Sequence, residues 1–165
     1  MQRNERLQRR RFLQVAASGA AVTASCGGQK NRYRFLTNAE ADTLAAVCDV
    51  IIPPDQDPGA SQAGVVQFID RQLDGFHKKL RKDYRAGSEK VDTLARATAG
   101  KDFHKLAPDE QEKILTSAEC RRFFELAISH TMQGYYGSPR HGGNRNWASW
   151  RMLGVPVAPV RGREV

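Results

Sequence analysis

Apolar residues recur at helical spacing through most of the chain after residue 35. Leu44, Val47, Cys48 and Ile51 share one face of a helix predicted over residues 38–52. Just before it, Thr37-Asn38-Ala39-Glu40 has capping-box spacing: the Thr hydroxyl accepts from the amide three residues on, and the Glu reaches back. Leu36 is placed to staple the helix start, and Pro53-Pro54 stops it. A turn-rich stretch, residues 53–64, leads to Val65, Phe68, Ile69, Leu73 and Phe76. Their period predicts a second helix that buries this face, runs into the charged stretch His77–Arg85 and ends near Gly87. A third helix, 89–99, uses Val91, Leu94 and Ala95, with Gly100 to terminate it. Leu106-Ala107-Pro108-Asp109-Glu110 predicts a fourth start, with Pro in the first turn and acids at the positive end of the dipole. Ile114 and Leu115 give that helix its apolar face. A fifth helix, 119–132, is expected to bury Phe123, Phe124, Ala127 and Ile128. No alternating run is long enough for a strand. The fold class is all-α: a small single-domain helical bundle with a long irregular Gly/aromatic-rich C-terminal segment.

Charge changes this picture at the N-terminus. The chain of 165 residues has a net charge of +8, which suggests an acidic partner. Half of that charge lies in residues 1–26, where five arginines face only Glu5. Arginine-rich residues 1–11 precede the uncharged FLQVAASGAAVTA and then Ser25 and Cys26, the form of an export signal. Arg9, Arg10, Phe12 and Leu13 resemble the twin-arginine signal, with Gln8 where Ser or Thr is more usual. The alternative is a basic amphipathic helix that binds an acidic surface. Cys26 stands where a lipoprotein cysteine would, although Thr23 replaces the usual aliphatic residue before it. Cys26 is thus a candidate lipidation site, or a residue lost or left beside a peptidase cut. Residues 27–35 read as a tether, 36–156 as the helical domain and 157–165 as a tail.

Candidate chemistry is sparse. Cys26, Cys48 and Cys120 form no C-x-x-C, so zinc-ribbon, thioredoxin-like and c-type haem signatures are all missing. Cys48 and Cys120 read as small buried residues, with a disulfide between them as the alternative in an oxidising compartment. His77, His104, His130 and His141 include no pair at metal-ligand spacing. His77 lies in a charged stretch and reads as solvated, and His130 reads as a packed, hydrogen-bonded histidine. No G-x-G-x-x-G or P-loop occurs, so no cofactor is expected in this chain. Asp55, Asp57 and Asp70 are the acids available for a catalytic or metal set, yet Asp55 and Asp57 sit in a Pro-rich turn where carboxylates cap amides.

Residues 134–156 read GYYGSPRHGGNRNWASWRMLGVP, rich in Gly, Tyr, Trp and Arg. From residue 121 onward seven arginines face two glutamates. Such side chains on a loop framework suit a protein interface. The candidate contact residues are Tyr135, Tyr136, Pro139, Arg140, His141, Gly142, Gly143, Asn144, Trp147, Trp150 and Arg151. The alternative is a segment that folds back and buries its aromatics on the domain's own core.

Ile51-Ile52-Pro53-x-Asp55-x-x-Pro58-Gly59-Ala60, Phe68-Ile69-Asp70, Gly134-Tyr135-Tyr136, Pro139, Gly142-Gly143-Asn144, Trp150 and Leu153-Gly154 resemble the gluconate 2-dehydrogenase subunit 3 family. The resemblance covers about residues 36–156. It implies a non-catalytic small subunit that helps a large flavoprotein of the glucose-methanol-choline oxidoreductase type to fold and be exported. It also implies FAD in that partner, haem c in a cytochrome subunit, the twin-arginine translocase during export, and a periplasmic, membrane-associated complex. Two other functions stand beside it. One is an independent enzyme with a loop-built site of His141, Asp55 and Asp70. The other is a basic module for an anionic surface; export and the lack of a nucleic-acid motif argue against nucleic acid as its partner.

Overall fold

The computed structural model describes residues 31–156. Six α-helices and no strand form among them: α1 (Asn38–Ile51), α2 (Val65–Asp74), α3 (Arg81–Ala99), α4 (Pro108–Leu115), α5 (Arg121–Tyr136) and α6 (Ala148–Met152). Short 3-10 turns at Lys78–Leu80, Phe103–Lys105, Pro139–His141 and Arg145–Trp147 connect them. The fold is all-α, as the periodicity predicts.

α1 begins as its sequence dictates. Thr37 Oγ1 accepts from the Glu40 amide at 3.2 Å, and Glu40 Oε2 accepts from the Thr37 amide at 2.8 Å. Ala41, Leu44, Val47 and Cys48 are buried and face α2, α3 and α5. Ahead of the helix, the buried Asp70 carboxylate on α2 accepts from the backbone amides of Arg34, Phe35 and Leu36 at 2.8, 2.9 and 3.0 Å. Residues expected in the tether are thus pinned to the core. Asp49 on α1 fixes the loop before α2 in the same manner, accepting from the Ser61 amide and hydroxyl.

The middle of the chain departs from the expected boundaries. α2 stops at Asp74, and Gly75 donates to the carbonyls of Arg71 and Gln72. Phe76, expected on the buried face, is exposed. The chain turns through Lys78–Leu80 and enters one helix of 19 residues, α3. Gly87 is therefore an interior residue of α3 instead of a helix end. A Cβ there would stand 2.1 Å from Phe123 Cδ2, so the bare backbone is what lets α5 approach. Gly100 terminates α3 in the left-handed conformation, as expected. At α4 the Glu110 carboxylate reaches back to the Ala107 amide at 3.0 Å.

α5 also differs. It runs on to Tyr136, so Tyr135 and Tyr136 are helical. Phe123 and Ala127 are buried, but Ile128 is exposed, against expectation. In the core, the Tyr84 hydroxyl lies 2.7 Å from His130 Nδ1, and the two rings stack with centroids 5.7 Å apart. Thr131 donates to Cys48 Sγ at 3.3 Å, and burial pushes the Cys48 thiol up to about 12. Cys48 and Cys120 are both free and buried.

Candidate partner interface

The C-terminal segment folds back on the end of α5, and three of its side chains complete that end. Carbonyls in the last turn of a helix lack intrahelical donors. Here Ser149 Oγ donates to the Tyr135 carbonyl at 2.6 Å, Trp150 Nε1 to that of Tyr136 at 3.0 Å, and Asn144 Nδ2 to that of Gly137 at 2.9 Å. Asn144 Oδ1 in turn accepts from the Ser149 amide at 3.0 Å. Gly143 lies directly on Gly134, where a Cβ would meet the Gly134 carbonyl oxygen at 2.1 Å. Gly134 itself leaves room for the Phe68 ring of α2. On the other side, the Arg145 amide donates to the Ala63 carbonyl at 2.9 Å.

The proposed contact residues therefore divide. Tyr135, Gly143 and Asn144 are buried within the fold. The Tyr135 hydroxyl donates to the Pro58 carbonyl at 2.7 Å, which joins the two widely separated sequence blocks. Burial raises its pKa, with Tyr136, Asp57 and Asp55 adding to the effect, so it remains a donor. Pro139, Gly142 and Trp150 are half-buried, while Tyr136, Arg140, His141, Trp147 and Arg151 are exposed. The segment covers the core, as the alternative expectation has it, and also presents aromatics and arginines to solvent.

The exposed part continues onto α5. Ile128, Met132 and Tyr136 are spaced by four residues and line one helix face. With Trp147, Met152, Leu153 and Val155 they are 37–59% exposed. Trp150 brings α6 to the Tyr136 end of this row. Apolar and aromatic side chains in such a row, with arginines beside them, have the composition of a protein interface. Sequence reasoning missed Ile128 and Met132. They form a second apolar row, which the folded packing reveals because Phe123, Ala127 and Gly134 already fill the core face.

Trp147 is held in an unusual way. Asn144, Asn146 and Trp147 have φ of 44°, 54° and 55°, in the left-handed region. Asparagine tolerates this region, but for tryptophan it costs about 1–2 kcal/mol. The Trp147 amide donates to the Asn144 carbonyl at 3.0 Å, which holds the turn closed.

The acids considered for catalysis are engaged with the backbone. Asp70 receives three amides, and Asp55 Oδ1 accepts from the Asp57 amide at 2.8 Å. Among the described residues no three His, Cys, Asp or Glu side chains gather as a metal set, and no helix is long and apolar enough to cross a membrane. Arg9, Arg10, Phe12, Leu13 and Cys26 lie outside the described residues.

A family model described as Gluconate 2-dehydrogenase subunit 3 matches residues 38–156. No curated protein and no solved structure matches the chain.

Proposed function

The chain belongs to the gluconate 2-dehydrogenase subunit 3 family, and we propose that it is the non-catalytic small subunit of an exported FAD-dependent gluconate or sugar dehydrogenase. It grips the large flavoprotein, of the glucose-methanol-choline type, through the apolar row of α5 and the exposed side chains of the C-terminal segment. The observation that carries this reading is that row itself: Ile128, Met132 and Tyr136 exposed along one face of α5, with Trp147 and Met152 exposed in the segment that follows. A single tryptophan or methionine on a surface means little, but seven exposed large apolar residues on α5 and the C-terminal segment gain by being covered. FAD and the substrate belong to the partner, and haem c to a cytochrome subunit. Arg9, Arg10, Phe12 and Leu13 form the twin-arginine signal that takes the assembled pair to the periplasm, and Cys26 is a candidate anchor at the membrane. Aspartates tied up by amides support this reading over an independent His141/Asp55/Asp70 enzyme.

Affinity capture of the full chain from its native cell tests it. A yellow flavoprotein should co-purify with the wild type. The I128E/M132E variant should lose it while keeping its helical circular-dichroism signal, because both residues are already in water. The R9K/R10K variant should leave both proteins in the cytoplasm. Capture of no flavoprotein by the wild type, or undiminished capture by I128E/M132E, would count against the assignment.

A further inference from the structure

The elbow between α2 and α3 has no part in the reading above. Phe76 at its tip is 86% exposed. Its backbone is fixed, since Gly75 donates to the Arg71 carbonyl at 3.0 Å and His77 to that of Gln72 at 2.7 Å. The ring is fixed as well. It meets His77 edge-on at 4.9 Å, His77 stacks on His130 at 4.8 Å, and His130 stacks on the buried Tyr84. A column of rings thus rises from the core and carries Phe76 at its outer end.

The surroundings of Phe76 are basic. Residues 75–82 contain Lys78, Lys79, Arg81 and Lys82 and no acid. Among the described residues none of these three lysines forms an ion pair. Beside the elbow is an open groove of about 550 Å³, lined by Arg34, Phe35, Asp74, Arg81, Lys82 and Arg85. Its one acid, Asp74, is matched by Arg81 at 3.0 Å and Arg34 at 3.9 Å, and Arg85 pairs with Glu40 at 3.4 Å, so among the described residues the lysines are the unpaired cations here. The guanidinium groups of Arg81 and Arg85 lie 4.7 and 4.8 Å from the centre of the Phe35 ring, which keeps them spread along the groove.

We propose that this elbow docks on an anionic lipid surface, with Phe76 entering the headgroup–acyl boundary and Lys78, Lys79 and Lys82 meeting lipid phosphates. The charge of the elbow requires an anionic counterpart. Phe76, 86% exposed amid those lysines, gains from an apolar medium just beyond it. A bilayer of acidic lipids supplies both as a plane, with the anions outside and hydrocarbon a few ångströms beneath. Lysine stems are long enough to reach phosphates while the ring sits deeper. An acidic protein would instead need a pocket for Phe76 ringed by carboxylates. The proposal does not depend on the identity of the flavoprotein.

The test is flotation of the full chain with vesicles, either phosphatidylglycerol mixed with phosphatidylcholine or phosphatidylcholine alone. The wild type should bind the anionic vesicles, and added salt should weaken the binding. K78Q/K79Q should lower the affinity about 30-fold, from roughly 1 kcal/mol for each lysine near such a surface. F76S should lower it roughly tenfold, as for a partly buried ring. The emission of F76W should shift to the blue on anionic vesicles, beyond any change from Trp147 and Trp150. I128E/M132E should bind vesicles like the wild type, which separates this surface from the partner interface. Equal binding to both vesicle types would overturn the proposal. Unchanged binding by F76S and K78Q/K79Q would also do so, since the arginine-rich N-terminal stretch would then be responsible. F76S that keeps vesicle binding but loses the flavoprotein would assign Phe76 to the protein interface instead.

Discussion

Trp147 and His130 show two ways in which a single residue is held against its own preference. Trp147 keeps a left-handed backbone that favours glycine. Strain of that kind persists when the fold requires the residue to be where it is. The variant W147G relieves about 1–2 kcal/mol of that strain but gives up a ring that is only 39% exposed, about 2–3 kcal/mol of apolar burial, so it should lower stability slightly in denaturant titration. The same variant should weaken capture of the flavoprotein. A gain of stability in W147G would show that the strain outweighs the packing of the ring. His130 is held neutral: burial lowers its pKa, and the adjacent His77 lowers it further. The unfolded chain then binds more protons than the folded one, so stability rises with pH across this window. It is complete above the ordinary value of 6.5 and falls as pH drops through 6.5 towards the lower folded value. His77 and Tyr84 are the titratable groups stacked against the ring. Substitution H130Q should flatten the stability profile between pH 5 and 7, a range set by where histidine titrates. An unchanged slope would show that His130 contributes nothing to it.

Among the elements, those with local signals were legible and those settled by packing were not. α1 begins at Thr37 and α4 at Pro108 because cap and first-turn chemistry lie within four residues of each start. Gly87 looks like a helix end to any local reading, because glycine is a poor helix former. What overrides that cost is the Phe123 ring, which is 36 positions away and occupies the space of the missing side chain. Phe76 fits the period of α2 on paper, but the helix ends two residues earlier. Ile128 fits the buried face of α5 only until Ala127, His130 and Gly134 are seen to fill it. The buried polar ties at Asp70 and Asn144 were illegible for the same reason: their partners are backbone groups that only the fold brings close.

On the scale of the whole molecule, the C-terminal segment reads in sequence as an appendage but is built into the core. Its Gly143 lies on α5, its Gly142 against Arg71 of α2, its Asn144 and Ser149 are fully buried, and Arg145 is tied to the loop before α2. Both tryptophans of the chain belong to this segment. Their fluorescence therefore reports the segment, while far-ultraviolet circular dichroism reports the helices as a whole. The two signals should trace coincident unfolding transitions in urea, as one cooperative unit requires. A fluorescence transition at lower urea would mean that the segment detaches by itself. The family could be named from the sequence because its two blocks survive as residues. That Tyr135 and Pro58 bring those blocks together needed the structure.

The last turn of α5 also sets an order of events during synthesis. Its three carbonyls find their donors in Asn144, Ser149 and Trp150, which leave the ribosome after the helix itself. Until they emerge, the turn that carries Tyr136 is unlatched and the row beside it has no fixed end. The surface proposed for a partner thus ripens last, and a prematurely stopped chain never offers it.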